Sequence, residues 1–221
     1  MINLINNIPH KYRLLIMIIM MIIAFGVFMM LISKEFRFAV IDIFQYIFEP
    51  GKRAGRRGEI EGTKLIKEVL RDGDYLFSNV HISYDGKFAE LDNVVINENG
   101  VFIIEVKSYS GYLYGYEKDR KWEKIKMTES ENTYKQEIDN PIRQVKRQTY
   151  ILSNFLRERN LKTYIKSYVL LINKNAPCES RYLLEDSSDI NWVIHLKSKK
   201  IIDKEKLEDI SKVLKKCERG W

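Results

Sequence analysis

The chain has 221 residues, 45% hydrophobic and 30% charged, which excludes global disorder and leaves room for one domain plus a further element. Cys178 and Cys217 form no Cys-x-x-Cys motif, so neither a zinc finger nor a disulfide framework is indicated. Most of the net charge of +7 lies beyond residue 50, where 33 basic and 27 acidic residues give +6, and this weakly favours nucleic acid or an anionic membrane surface as a partner.

An uncharged run of 19 residues, Leu14 to Ile32, lies near the start of the sequence. As a helix it would extend roughly 28 Å, which predicts a transmembrane segment over 14–32. A cleaved signal peptide is the alternative, but no small-x-small cleavage site follows at Ser33. The aromatic stretch from Phe36 to Phe48 is too short to span and predicts an interfacial helix, which Glu49-Pro50-Gly51 ends.

From Arg56 onward the pattern predicts an α/β domain. Apolar periodicity predicts a helix over Glu59–Arg71, and Pro141 opens a second helix that runs to about Arg159. Between these two helices, extended runs separated by turn residues predict five strands, at Tyr75–Ser83, Glu90–Ile96, Val101–Ser108, Tyr112–Tyr116 and Trp122–Met127. A central strand, a short strand and a closing helix are predicted at Tyr164–Ile172, Asn191–Leu196 and Asp203–Cys217.

The turn at residues 97–100 fixes a register between the second and third strands. With a two-residue loop, residues whose numbers sum to 197 lie opposite each other, so Asp92 faces Glu105, and Lys107 shares their side of the sheet. Two facing carboxylates repel unless a cation lies between them. The pattern therefore predicts Mg²⁺ or Mn²⁺ bound by Asp92, Glu105, the carbonyl of Val106 and waters, with Lys107 beside the attacking water.

Two alternatives to this metal site remain open. Asp92 and Glu105 would form a surface ion-pair lattice with Lys107 and Glu90, or a one-residue slip would move Asp92 to the other face. Glu59 favours the metal site, because it starts the helical stripe that should pack on the sheet, where a carboxylate needs a partner. Its own alternative is a first-turn acid that complements the helix dipole.

Together these residues resemble the NERD (nuclease-related) domain, which is similar to the PD-(D/E)XK nuclease superfamily. The resemblance covers about residues 54–175 and rests on five segments in order: Gly58-Glu59, Glu90-Leu91-Asp92-Asn93-Val94-Val95, Gly100 to Lys107, Gly111 and Asn140-Pro141-Ile142-Arg143-Gln144. It implies that Asp92 and Glu105 are metal carboxylates, Lys107 the catalytic lysine, Glu59 a helix-borne acid and Gln144 a later polar residue of the site. Bacterial members often carry an N-terminal membrane segment.

The chain departs from the family pattern in three ways. Asn93 follows Asp92 where a histidine is common, which puts a role for that neighbour in doubt. Gln148 stands four residues after Gln144, where some related nucleases have tyrosine. The chain also carries no cysteine-rich zinc fingers of the topoisomerase type.

Basic residues on the Pro141 helix offer a face for nucleic acid, with Arg143, Lys146 and Arg147 as the predicted phosphate contacts. A solvated helix face is the alternative for such a group of charges. Tyrosines at 109, 112, 114 and 116 are interpreted as sheet packing more readily than as base-stacking residues.

The sequence thus predicts an α/β fold with a PD-(D/E)XK nuclease-like mixed β-sheet flanked by helices, preceded by an N-terminal transmembrane helix. The predicted organisation is a tail (1–13), the transmembrane helix (14–32), a juxtamembrane segment (33–50), the nuclease-like domain (51–175) and a completing strand and helix (176–221). The predicted function is metal-dependent hydrolysis of nucleic-acid phosphodiesters, with DNA first, by a single-pass cell-membrane protein whose domain is cytoplasmic. An inactive tethered module that binds nucleic acid or protein, and a scaffold that needs no metal, are the alternatives.

Overall fold

The computed structural model describes residues 10–32, 50–127 and 133–218. The chain divides into two compact units, Met1–Arg53 and Ala54–Trp221. Helix α1 (His10–Ile32) belongs to the first unit, and its described apolar side chains, such as Met21 and Phe25, are mostly exposed.

The membrane prediction is contradicted. Within the residues that the structure describes, no helix combines the length and the apolar character that crossing a membrane requires. The run at 14–32 does form helix, as part of α1. The transmembrane helix and the single-pass cell-membrane localisation are therefore corrected, and the interfacial helix predicted at Phe36–Phe48 lies outside the described residues.

The second unit is a mixed α/β fold. Its helices are α2 (Pro50–Val69, which begins just before the unit), α3 (Pro141–Arg157), α4 (Ser187–His195) and α5 (Lys204–Lys215). Its strands are β1 (Tyr75–Tyr84), β2 (Lys87–Asn97), β3 (Gly100–Lys107), β4 (Tyr112–Tyr114), β5 (Lys121–Met127), β6 (Thr133–Asp139), β7 (Ile165–Leu171) and β8 (Leu183–Leu184).

A five-stranded sheet in the order β1-β2-β3-β7-β8 forms the centre, and helices cover both of its faces. Strands β1 to β3 are antiparallel, whereas β7 runs parallel to β3 and β8 parallel to β7. Side chains of α3 and α5, including Leu152 and Ile210, pack on one face. Side chains of α2 and α4, including Ile66 and Ile190, pack on the other, and this alternation explains why β3 is almost entirely buried.

A second sheet of three antiparallel strands, β4-β5-β6, lies between β3 and α3 in the chain. Leu113 and Trp122 fasten it to the first turns of α3, where they pack against Ile142 and Val145. Its strand β6 was not predicted, because residues 133–139 are mostly charged or polar, are mostly exposed and show no apolar alternation.

Two further elements correct the sequence predictions. Helix α2 begins at Pro50 rather than at Glu59, because proline fits a first helical turn and the following basic residues are good helix formers. The strand predicted at Asn191–Leu196 is part of α4. That helix begins where Asp186 accepts hydrogen bonds from the amides of Ser188 and Asp189, a capping signal that outweighs the short β-branched run.

Candidate active site

Glu105, near the end of β3, is the centre of the predicted site. Its side chain is only 2% exposed, so it does not belong to a surface ion-pair lattice. Lys107, two residues along the same face, donates from Nζ to Glu105 Oε1 at 2.6 Å. A buried carboxylate needs such partners, because an unpaired charge in the interior is costly.

The predicted register holds along most of the hairpin and then ends before Asp92. Asn97 pairs with Gly100 and Val94 with Ile103, as predicted, but the last ladder pair is Asn93 with Ile104. The predicted pairs of Asp92 with Glu105 and of Glu90 with Lys107 lie beyond it. Asp92 Oδ2 instead accepts a hydrogen bond of 2.8 Å from the Val106 N–H.

A change in the side-chain alternation of β2 explains this position of Asp92. Leu91 and Val94 are three residues apart, yet both belong to the cluster under α3 and α5, so the strand changes parity between them. On β1, Asn79 adopts a φ of 54° between the residues that pair with Asn93 and Leu91. This non-extended backbone at Asn79 interrupts the pairing of β1 with β2 opposite Asp92, and the Asp92 carboxylate points towards β3 instead. The Val106 N–H points to β2, so the carbonyl of Val106 lies on the same side as Asp92.

Two glycines allow helix α2 to pack closely on the end of β3, and this close packing places Glu59 at the site. A Cβ at Gly58 would collide with the side chain of Ser108, and one at Gly62 would lie 2.6 Å from Val106 Cγ2, so the helix backbone passes directly over the end of β3. Because α2 begins at Pro50, Glu59 lies in its middle and not in a first turn. The interpretation of Glu59 as a helix-dipole acid is therefore wrong.

Helix α3 supplies two glutamines to Glu105. Gln144 Nε2 donates to Glu105 Oε1 at 2.5 Å, and Gln148 Nε2 donates to Oε2 at 2.7 Å and to the Glu90 carbonyl at 2.9 Å. Gln148 was not assigned to the site from the sequence. Its spacing of four residues from Gln144 was the available signal, because such residues share one helix face.

Asn140 holds the start of α3 in place. Its side-chain oxygen accepts from the Ile142 N–H, and its Nδ2 donates to the carbonyls of Tyr116, Glu117 and Asp119. This N-cap therefore ties α3, and with it Gln144, to the loop between β4 and β5.

Burial and the charges of neighbouring groups raise the pKa of two acids of the site. Burial, reinforced by the charge of Glu105, raises the pKa of Asp92 to about 8 against the opposing effects of the Val106 N–H and Lys107. Burial likewise raises the pKa of Glu59, which Lys107 lowers in part. Burial lowers the pKa of Lys107, but Glu105 outweighs this effect, and the net pKa of Lys107 is raised. We call Glu59, Asp92 and Glu105 the carboxylate cluster.

The donor chemistry of the cluster suits a hard divalent cation, although no metal site is assembled. In the described ranges, no three His, Cys, Asp or Glu side chains are arranged to hold an ion. Mg²⁺, however, is commonly bound by one or two carboxylates together with waters and phosphate oxygens. Burial is the main cause of the raised pKa of Asp92 and of Glu59, and the charge of Glu105 adds to it, so a bound divalent cation would offset the cost of ionising both acids. Carboxylate oxygens are ligands that suit Mg²⁺ or Mn²⁺.

The predicted phosphate contacts lie on the exposed side of α3, while Val145, Leu152 and Leu156 are buried on the other. Arg143 is exposed. Lys146 Nζ pairs with Glu117 at 2.9 Å, and Arg147 donates to the Phe88 carbonyl at 2.9 Å. The three side chains thus belong to one helix surface, with two of them already engaged by the protein.

The fold and the cluster define an α/β domain with an acidic, lysine-containing site at the end of a central strand. The family model of the NERD, nuclease-related domain matches residues 54–172, and the chain belongs to this family. The resemblance to this family found in the sequence is thereby confirmed.

The chain is also 30% identical over 147 residues to an uncharacterized protein of Bacillus anthracis. The match covers 64% of this chain and spans 59% of the relative's length. No solved structure gives a significant match.

Proposed function

We propose that this protein hydrolyses phosphodiester bonds of nucleic acid, with DNA as the first candidate substrate, in a reaction that requires Mg²⁺ or Mn²⁺. The proposal rests on one observation: the carboxylate cluster and Lys107 lie close together at the end of β3, in a chain of the nuclease-related family. Asp92, Glu105, the Val106 carbonyl and Glu59 are the ligands that we assign to the cation. When bound, such a cation polarises a phosphate and lowers the pKa of an attacking water.

The residues of the chain have distinct tasks in this proposal. Lys107 carries a positive charge fixed by Glu105, and it stabilises negative charge that develops on the phosphate. Gln144 and Gln148 hold the Glu105 carboxylate from both of its oxygens, so that its orientation is set before substrate binds. Arg143, Lys146 and Arg147 contact phosphates along α3 without reading sequence.

The test is a cleavage assay with the full-length chain on single- and double-stranded DNA and RNA, in Mg²⁺, Mn²⁺ or EDTA. Asp92→Asn and Lys107→Met are each expected to lower metal-dependent cleavage at least about 100-fold. Lys212→Met is the matched control, because Lys212 pairs with Asp209 on the exposed surface of α5. Cleavage that survives in EDTA, or in both site variants, would contradict the proposal.

A binding module without turnover is the second candidate. It is favoured by the hydrogen bonds of Glu105, because Lys107 and Gln144 engage one of its oxygens and Gln148 engages the other. Salt-sensitive binding of nucleic acid that Asp92→Asn and Lys107→Met leave unchanged, with no cleavage in any metal, would select this candidate.

A further inference from the structure

A second concave site lies at the edge of the central sheet, away from the carboxylate cluster. Strand β8, at the edge of the sheet, pairs with β7 only at Val169 and Leu170. None of the described strands therefore covers the outer edge of the first half of β7. A cavity of about 570 Å³ opens there, within the roughly 300–1,000 Å³ of known ligand sites. We call it the edge cleft. No residue of the carboxylate cluster lines it, and neither does Lys107.

Aromatic side chains form part of the walls of the edge cleft. Four of them line it: Tyr164, Tyr168, Tyr182 and Trp192. Tyr164 is 61% exposed and Trp192 is 64% exposed. Exposed aromatic rings gathered around one cavity are unfavourable in water unless a ligand covers them, and ring faces are the surfaces on which nucleobases stack.

The charge of the edge cleft is predominantly positive. Lys146, Lys166 and Arg181 line it, with Asp189 as the one acid among its lining residues. The Lys146 ammonium lies 4.5 Å from the centre of the Tyr182 ring, and the Arg181 guanidinium carbon lies 5.0 Å from it. Glu117 pairs with Lys146 and offsets part of this charge. Asp189 accepts a hydrogen bond from the Glu185 N–H, which occupies one of its oxygens.

The Tyr168 hydroxyl does not add negative charge to the edge cleft. Burial, together with the nearby Tyr164 hydroxyl, raises the pKa of Tyr168 to about 12, so this hydroxyl stays protonated at physiological pH. Cations beside aromatic rings form a surface that accepts a planar base and a phosphate together.

We propose that the edge cleft binds a nucleotide segment of a single-stranded nucleic acid, whose bases stack on Tyr164 and Trp192 and whose phosphates contact Lys146 and Arg181. The inference rests on the nucleic-acid substrate of the proposed function and extends it to a strand-binding site separate from the carboxylate cluster. A single strand is specified because duplex bases are already stacked and offer no ring face to the protein. Helix α3 links the two sites, since Gln144 and Gln148 contact Glu105 while Lys146 and Thr149 line the edge cleft.

The test measures the affinity of the whole chain for a labelled 15-nucleotide oligo(dT) by fluorescence anisotropy, in EDTA and at constant salt. Tyr164→Leu and Trp192→Ala are each expected to weaken binding about tenfold. Trp192→Phe, which keeps a ring, is expected to restore most of the affinity. Tyr134→Leu is the matched control, because Tyr134 is similarly exposed at 57% but lies on the second sheet, and its affinity is expected to stay within about twofold of wild type.

Three competitors define the ligand. Unlabelled oligo(dT) is expected to displace the probe, whereas an abasic strand of equal length and a blunt duplex displace it at least about tenfold less well. Equal competition by the abasic strand would overturn base stacking. Displacement by thymidine monophosphate at the same molar concentration would identify a free nucleotide as the ligand and overturn the strand assignment.

The two proposals fail separately. Loss of oligo(dT) affinity in Trp192→Ala, in a chain that cleaves nothing, would reject the nuclease and retain the edge cleft. Metal-dependent cleavage with wild-type affinity in both Tyr164→Leu and Trp192→Ala would reject the edge cleft and retain the nuclease. Thermal unfolding of each variant confirms that the folded chain was tested.

Discussion

The carboxylate cluster and the edge cleft both take side chains from α3, but the protein constrains them to very different degrees. At the cluster, Gln144 and Gln148 are hydrogen-bonded to a carboxylate that is 2% exposed. At the edge cleft, rings such as Trp192 remain exposed, and cations rest against ring faces. Short charged hydrogen bonds fix atoms for chemistry, whereas exposed rings adapt to a ligand. Substitutions at the cluster should therefore change turnover, and substitutions at the cleft should change affinity.

The largest expected effect follows from Glu105→Gln. This change removes the charge that holds Lys107 and both glutamines, so cleavage is expected to fall at least about 100-fold. Affinity for oligo(dT) in EDTA is expected to change less than about twofold, because the edge cleft is untouched. Single-turnover cleavage and anisotropy measure the two quantities. Glu137→Gln is the control, since Glu137 pairs with Lys121 at the surface. A parallel loss of affinity would show that the two sites are one.

Close packing of α2 on β3 gives the next prediction. Gly62→Ala places a methyl group 2.6 Å from Val106 Cγ2, which must push the helix off the strand and move Glu59 away from Asp92. The free energy of unfolding should fall by about 2–3 kcal/mol, measured by urea titration. Gly55→Ala in the same helix is the matched control, because its Cβ meets nothing within 4 Å and should be neutral or stabilising. Equal stability of the two variants would refute the close approach.

The pKa of Asp92 predicts how pH changes stability. Because its folded-state pKa is about 8 against an ordinary 3.8, the folded chain binds more protons than the unfolded chain between these values. The stability that the protonated form provides is thus lost as pH rises from about 4 to 8. In EDTA, Asp92→Asn is expected to remove this loss and to exceed wild type at pH 8 by on the order of 2 kcal/mol. Mg²⁺ should stabilise wild type at pH 8 and leave the variant unchanged.

A wild-type pH profile that coincides with that of Asp92→Asn would contradict the raised pKa. Asp209→Asn provides the control, because Asp209 is exposed on α5 and pairs with Lys212. Its profile should follow wild type at every pH.

Local patterns in the sequence were sufficient for the hairpin and for the family. The turn at 97–100 set the register as far as Asn93 and Ile104, and Pro141 gave the start of α3 correctly. These features depend on residues that are neighbours in the chain. The segments resembling the nuclease-related family lie within residues 54–175, and the family match spans 54–172.

Features that depend on tertiary contacts escaped prediction. The displacement of Asp92 accompanies a positive φ at Asn79 on another strand, and the role of Gln148 depends on how α3 lies across β3. The edge cleft is formed by Tyr164, Lys146 and Trp192, which are far apart in sequence. Period and spacing place residues on one face of a helix or strand, as for Gln144 and Gln148, but they do not say what that face contacts.

The smallest expected effect is electrostatic and confined to the edge cleft. Arg181→Gln removes a cation that lies 5.0 Å from the Tyr182 ring centre but keeps a polar side chain of similar length. If Arg181 contacts one phosphate, affinity for oligo(dT) should fall about threefold, and the slope of log affinity against log salt should become shallower by about one unit. Arg159→Gln is the control, because Arg159 packs on Phe155 at the far end of α3. If the slope of log affinity against log salt were lost in both variants, the charge of the whole surface, rather than the edge cleft, would attract the strand. An unchanged slope in Arg181→Gln would show that Arg181 contacts no phosphate.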